Sequence, residues 1–126
     1  MIQVYSPNVT AEAGAAISLS NVEYKKGCTA TIVGASTISL NKAGVYSITV
    51  NASSAEATTI QLYENGVPKA STLQTGTNPN IDTLVEVDEN SCRCSCGGFT
   101  GIQIVNAGTA SATFSNVNVV VTKLGR

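Results

Sequence analysis

The chain has 126 residues, with 7 basic and 8 acidic side chains, no His and no Trp, and it is 43% hydrophobic but only 12% charged. A length of ~100 to 150 residues suits one domain with a real core, so a single domain over residues 1–126 is expected. The missing histidines exclude Ser-His-Asp and Cys-His catalysis and every His-containing zinc or iron site.

The charged fraction is about half the ~25% of an ordinary globular protein, and Thr, Ala, Val, Ser and Asn fill the space, which predicts a surface of Ser, Thr and Asn. With a net charge of -1 and Lys25-Lys26 as the sole adjacent basic pair, no footprint exists for phosphate backbones, and no nucleic acid partner is expected. No apolar run approaches the ~18 to 20 residues that span a bilayer, so no membrane insertion is expected. Met1-Ile2-Gln3-Val4-Tyr5 has neither a basic n-region nor a cleavable apolar stretch, which predicts synthesis in a cytoplasm without a signal peptide.

Every segment with a clear hydrophobic period has period two, which makes this an all-β chain. Short runs at 2–5, 15–20, 29–33 and 36–40 open it. Tyr46, Ile48, Val50 and Ala52 then alternate with polar or smaller residues, so 45–52 reads as a strand with one buried face and Gly44 as its turn. Thr58, Ile60 and Leu62 place 58–64 in a strand. Asn65-Gly66 follows, the pair that best tolerates the two positive φ angles of a type I′ hairpin. Pro68 lacks a donor for a ladder, so 67–73 is expected at an edge or in a bulge. The polar stretch Gln74 to Asn80 reads as a loop at one end of a sandwich. Segments 81–88, 91–96, 101–106 and 112–124 alternate in turn, separated by turn residues. Spacing of ~8 to 12 residues between turns predicts an antiparallel sandwich or barrel of eight to ten strands. In the last segment Val117, Val119, Val120 and Val121 put apolar groups on both faces. One face then meets the core, and the other needs a cover, either a second copy of the chain or a loop of its own; Val117, Val119 and Val121 are the expected contact with a second copy.

The order of these segments carries a resemblance. Gly44-Val45-Tyr46-Ser47-Ile48, then Ile60-Gln61-Leu62-Tyr63-Glu64-Asn65-Gly66, then the closing Phe114 to Leu124 strand resemble the trimeric jelly rolls of the tumour necrosis factor and complement globular-head type. The resemblance covers residues 36 to 125 or so. It implies a ten-stranded jelly-roll sandwich that assembles as a homotrimer with one sheet lining the threefold axis. With 5% aromatic residues, the chain looks more like the small free-standing versions among bacteriophage virion proteins: head decorations, head fibres, and collar or fibre knobs. The partners this implies are further copies of the chain and virion proteins such as capsid, portal or fibre, and the location implied is the virion.

Cys92-Arg93-Cys94-Ser95-Cys96 is the least ordinary motif. On a strand its three thiols share a face, with same-face Cα atoms ~6.6 Å apart, near the upper limit for a disulfide. Three readings stay open: buried thiols at Cys28, Cys92, Cys94 and Cys96, a disulfide with Cys28 as the natural partner, or a metal shared across a threefold axis. Buried thiols lead, and no cofactor or metal is expected. Glu86, Asp88, Glu89 and Asn90 offer oxygens at a turn but match no calcium loop. Asp82 and Glu86 lie ~13 Å apart along a strand, too far for a glycosidase pair. Asn8-Val9-Thr10 and Asn51-Ala52-Ser53 match the glycosylation sequon, as chance matches do in an Asn- and Thr-rich chain.

Catalysis is therefore not expected. The leading reading is a structural virion component, and the alternative is a receptor-binding or lectin-like knob that contacts a host cell-surface glycan. Its expected ligand loops carry Tyr63, Asn78, Asn80, Asp88 and Asn90. Sugar binders stack ligands on exposed rings, and of the six aromatics only Tyr63 and Tyr24 are expected at the surface.

Overall fold

The computed structural model describes residues 1–19, 21–26, 30–87 and 100–124. Among these residues, eleven strands form two antiparallel sheets. The first sheet holds β2 (Asn21–Lys25), β1 (Ile2–Ala11), β11 (Ala112–Leu124), β5 (Gly44–Ser54) and β9 (Asn80–Val87), in that order. The second holds β3 (Ala30–Val33), β4 (Thr37–Leu40), β10 (Thr100–Asn106), β6 (Thr58–Glu64) and β7 (Val67–Pro68), with β8 (Gln74–Gly76) also on β6. This is a jelly-roll sandwich.

Alternation explains the core. Tyr46, Ile48, Val50 and Ala52 of β5, Ile60 and Leu62 of β6, Ile81, Val85 and Val87 of β9, and Ile102 and Ile104 of β10 all point between the sheets and are buried. The buried polar side chains among the described residues are Ser, Thr and Asn, without a charge. Each buried side-chain nitrogen or oxygen there has a hydrogen-bond partner, as a low-dielectric interior requires. Tyr46 is fully buried, yet its hydroxyl donates to the carbonyl of Lys42 at 2.7 Å and accepts from the Lys42 amide at 3.3 Å. One ring thus fills the core and fastens the turn before β5. Gly44 enters that turn at φ 144°, where a side chain is strained.

The strands at 58–64, 101–106 and 112–124 lie where alternation puts them, and Asn65-Gly66 turns the chain with φ of 53° and 82°. Tyr63 pairs with Pro68 and Glu64 with Val67, and β7 is an edge strand, as a proline without a donor demands. It stops after two residues and passes into a 3-10 turn, Ala70–Thr72. There the buried Thr72 hydroxyl donates to the Lys69 carbonyl at 2.7 Å and accepts from the Leu62 amide at 3.0 Å, replacing a ladder bond.

Other expectations need correction. Of the run at 15–20, the described residues 15–19 form no strand; Ala16 makes a single bridge to Val105, while Ile17 and Leu19 plug the core. The stretch Gln74 to Asn80 is not all loop, since β8 pairs with the start of β6. The first strand reaches Ala11 instead of ending at Tyr5, because Asn8 adopts φ 55° and carries the chain past Pro7. Inward residues of β1 are Ile2, Val4 and Ser6 before that point and Ala11 after it, with Val9 partly buried against the core. On β11, Phe114 points inward and so does Val117 three residues on, with a register irregularity against β5 between Phe114 and Asn116. Since Pro7 pairs with Asn116 and Val9 with Phe114, the two strands change phase at the same place.

The doubly apolar final strand is the main correction. Val117, Val119 and Val121 are all 0% exposed within a single chain. They fill the space between the two sheets, so they have no surface to give to a second copy. Only Val120 points outward, flanked by Asn118 and Thr122. Cys28, Cys92, Cys94, Cys96, Asp88, Glu89, Asn90 and the strand expected at 91–96 lie outside the described residues.

Two substitutions test the turn chemistry. Gly66→Val is expected to cost about 2 kcal/mol in chemical denaturation, because a side chain there has open space but the wrong backbone angle. Asn8→Gly should leave stability within a few tenths of a kcal/mol, whereas Asn8→Val should cost ~1 to 2 kcal/mol.

Candidate functional site

Two surface features combine shape with a defined chemistry. The larger is the outer face of the five-stranded sheet. Its cross-strand rows follow from the register: Tyr24, Gln3, Val120, Thr49 and Asp82 form one, and Asn21, Tyr5, Asn118, Asn51 and Asn80 the next. Thr122, Ser47 and Leu84 form a third, and Leu124, Val45 and Glu86 a fourth. On the three central strands the outward residues of these rows are amides, hydroxyls, valines, one tyrosine and one leucine, with no charge. Asp82 and Glu86 stand on the edge strand β9, and Glu23 and Lys25 belong to the edge strand β2. The middle of the sheet is therefore inexpensive to desolvate as long as its amides and hydroxyls find partners, and charge stays at the rim, as in protein interfaces generally. A shallow depression of about 300 Å³ lies on this face between Gln3, Tyr5, Glu23, Asn116 and Asn118, and Gln3 Nε2 donates to Asn118 Oδ1 across it at 3.1 Å.

The second feature is a cleft of about 510 Å³ at one end of the sandwich. The connection from β5 to β6 (Ala55, Glu56, Ala57) forms one wall, the connection from β10 to β11 (Gly108 to Ser111) the other, and Thr58, Asn106 and Ala112 the floor. Asn106 sets this geometry. It is 1% exposed, and its Nδ2 donates to the carbonyls of Ala11 at 2.9 Å and Ala110 at 3.0 Å, while Oδ1 accepts from the Gly108 amide at 3.0 Å. Its backbone adds bonds to Gly14 and Ala15. The side chain thereby ties the β10–β11 connection to the end of β1, and the backbone of the same residue holds the segment that follows.

The expected ligand residues do not converge. Tyr63 is half-buried on β6 of the six-stranded sheet, beside the Asn65-Gly66 turn. Asn78 and Asn80 are exposed at the start of β9 in the other sheet, at the opposite end of the sandwich. Asn78 Oδ1 accepts from Ser53 Oγ at 3.1 Å, and the backbone carbonyls of Thr77 and Pro79 accept from Ser54 and Ala52, so this segment extends the β5 ladder. Asp88 and Asn90 lie outside the described residues. Tyr24 is exposed as expected, at 48%. Asp82 and Glu86 share the outer side of β9 and remain solvent-exposed.

Sequence reasoning missed Asn106 and Val120. Asn106 ends an apolar strand and looks like an ordinary turn residue, and its partners at Ala11 and Ala110 are visible only in three dimensions. Val120 was hidden among valines whose phase is reset upstream.

No protein-family model matches the chain, and no curated protein matches it in sequence. Solved structures do. The globular domain of zebrafish complement 1qA protein superposes with a TM-score of 0.69 at 12% identity, covering 99% of this chain and 97% of that one. Two tumour necrosis factor family ligands follow: murine APRIL, with a TM-score of 0.57 at 10% identity over 98% of this chain and 97% of that one, and rabbit GITRL, with 0.55 at 15% over 93% and 94%. The fold is the jelly roll of these domains.

Asn106→Asp removes both donors from the Ala11 and Ala110 carbonyls and sets an acceptor against them. The expected loss is about 3 kcal/mol, with hydrogen exchange accelerated first at the amides of Gly14 and Gly108.

Proposed function

We propose that the chain is a non-catalytic, self-associating knob that assembles in three copies through the outer face of its five-stranded sheet, with its end loops left free. The observation that carries this is the uncharged centre of that face around Val120, bounded by charges on its two edge strands. A face of this kind gains from being covered by another of matching pattern. The threefold count comes from the resemblance to the tumour necrosis factor and complement head type, and the fold is compatible with it.

The finer reading places this knob on a bacteriophage particle, as a head decoration, head fibre or collar component made in the host cytoplasm and joined to capsid, portal or fibre proteins. Its support is the likeness to small free-standing virion jelly rolls, together with a surface rich in Ser, Thr and Asn. Mass spectrometry of purified particles checks that placement.

Light scattering on the free protein is expected to give three times the 12.9 kDa chain mass at micromolar concentration; a monomer mass would overturn the assembly. Val120→Arg should yield a folded monomer with the β-rich circular dichroism of the parent. Val119→Asp should instead abolish folding, because a buried unpaired charge costs on the order of 5 kcal/mol, comparable to the stability of a whole small domain. Dissociation by Val119→Asp with the fold intact would mean that the two faces of β11 have been assigned the wrong way round.

A further inference from the structure

The cleft between the β5–β6 and β10–β11 connections lies at the end of the sandwich, away from the centre of the proposed assembly face around Val120. Its volume of about 510 Å³ falls within the ~300 to 1,000 Å³ of small-molecule sites. Its walls are braced on both sides. Asn106 holds one. On the other, Ser54 Oγ donates to the Thr113 carbonyl at 3.1 Å and accepts from the Glu56 amide at 3.4 Å, while the Ala107 amide reaches the Thr59 carbonyl at 2.9 Å. The space is therefore maintained by the fold and does not have to be opened by a ligand.

The lining selects a ligand class by elimination. Among the described residues its apolar contact comes from alanines and threonine methyls, and no ring offers stacking, so a large apolar or aromatic ligand gains little. No cation among the described residues lines the cleft, which disfavours phosphate, sulfate and carboxylate. The single carboxylate, Glu56, is exposed, and an exposed ion pair contributes only ~0 to 1 kcal/mol, too little to hold an ammonium group alone. What remains is a dense set of hydroxyls with one carboxylate. Among the described residues, the side chains of Glu56, Thr109 and Ser111 have no protein hydrogen-bond partner, so their donors and acceptors are available. Carboxylates and hydroxyls of this kind match vicinal hydroxyl groups, which both donate and accept.

We propose that this cleft binds a neutral polyhydroxylated ligand of mono- or disaccharide size, edge-on, between Glu56 on one wall and Thr109 and Ser111 on the other. Without a stacking ring, affinity per cleft is in the millimolar range. In any cyclic assembly the equivalent clefts lie at one level around the axis, so a surface bearing many sugars is held by several at once.

Amide chemical-shift titration of the full-length chain tests this. The probes are glucose, galactose, mannose, N-acetylglucosamine, lactose and maltose, against inorganic phosphate and ethylammonium as controls. At least one sugar is expected to shift the amides of Glu56, Thr109 and Ser111, with phosphate and ethylammonium silent. Glu56→Gln combined with Ser111→Ala should weaken that sugar about tenfold without changing the melting temperature. Silence from every sugar, a response confined to ethylammonium or phosphate, or unchanged affinity in the double variant would each overturn the proposal. The titration repeated on Val120→Arg separates the two readings, because sugar shifts in a monomer support the cleft whatever the assembly state.

Discussion

The pairing of β1 with β11 is the constraint on which the rest of the sandwich depends. Both strands must present apolar groups to the interior along their length, and a strand offers one residue in two to each face. Both sequences break that alternation, at Pro7-Asn8 and at Ser115-Asn116. Had the breaks been out of step, one strand would have turned its apolar set to water beyond them. They coincide across the ladder, so Phe114, Val9 and Ala11 stay on the side of Ile2, Val4, Val117 and Val119. β5, paired to the other side of β11, absorbs the change as a register irregularity at its Ser53-Ser54 end. Among the described residues the core that results is closed without charged residues, and its polar members are paired by hydrogen bonds, some local and some, as at Asn106, between distant segments.

The same economy shapes the outside. With so few charged groups, the surface is solvated by hydroxyls and amides, which bind water less tightly than ions do and exchange it for protein partners at lower cost. Large areas are thus free of the single-sign fields that keep many proteins apart. The proposed assembly face over β1, β11 and β5 and the proposed cleft between the two end connections both draw on this kind of surface. Both functional candidates follow from composition as much as from fold.

Much of the fold is legible in the sequence. The Asn65-Gly66 turn, the strands at 58–64, 101–106 and 112–124, and the edge placement of Pro68 follow from local chemistry that tertiary contacts do not override. β2 is not legible, because an edge strand exposed along its whole length buries nothing and leaves no alternation to detect. The run 15–20 misleads because Ile17 and Leu19 alternate like a strand but serve as plugs on an irregular segment. The valines of β11 mislead for a sharper reason: counting apolar residues on both sides of a strand presumes a constant phase, and the bulge upstream removes that constancy. The cleft leaves no signal at all, since Ala, Ser and Thr runs at 52–59 and 107–113 face each other only after the chain has closed.

The strand order of the five-stranded sheet also has a kinetic consequence. β11 comes last of the eleven described strands yet sits in the middle of its sheet, between the first and the fifth. During synthesis β1 and β5 have no common neighbour, and each keeps an unpaired edge, until residue 124 has been delivered. With strands ~4.8 Å apart, the vacancy between them is ~10 Å wide, enough for a strand from any nearby chain. Closing it requires contacts between residues 60 or more positions apart, the kind that make β-sandwiches slow to fold. The sheet is therefore completed only after translation of this segment has finished, in one late insertion, and crowded nascent copies compete for the open slot.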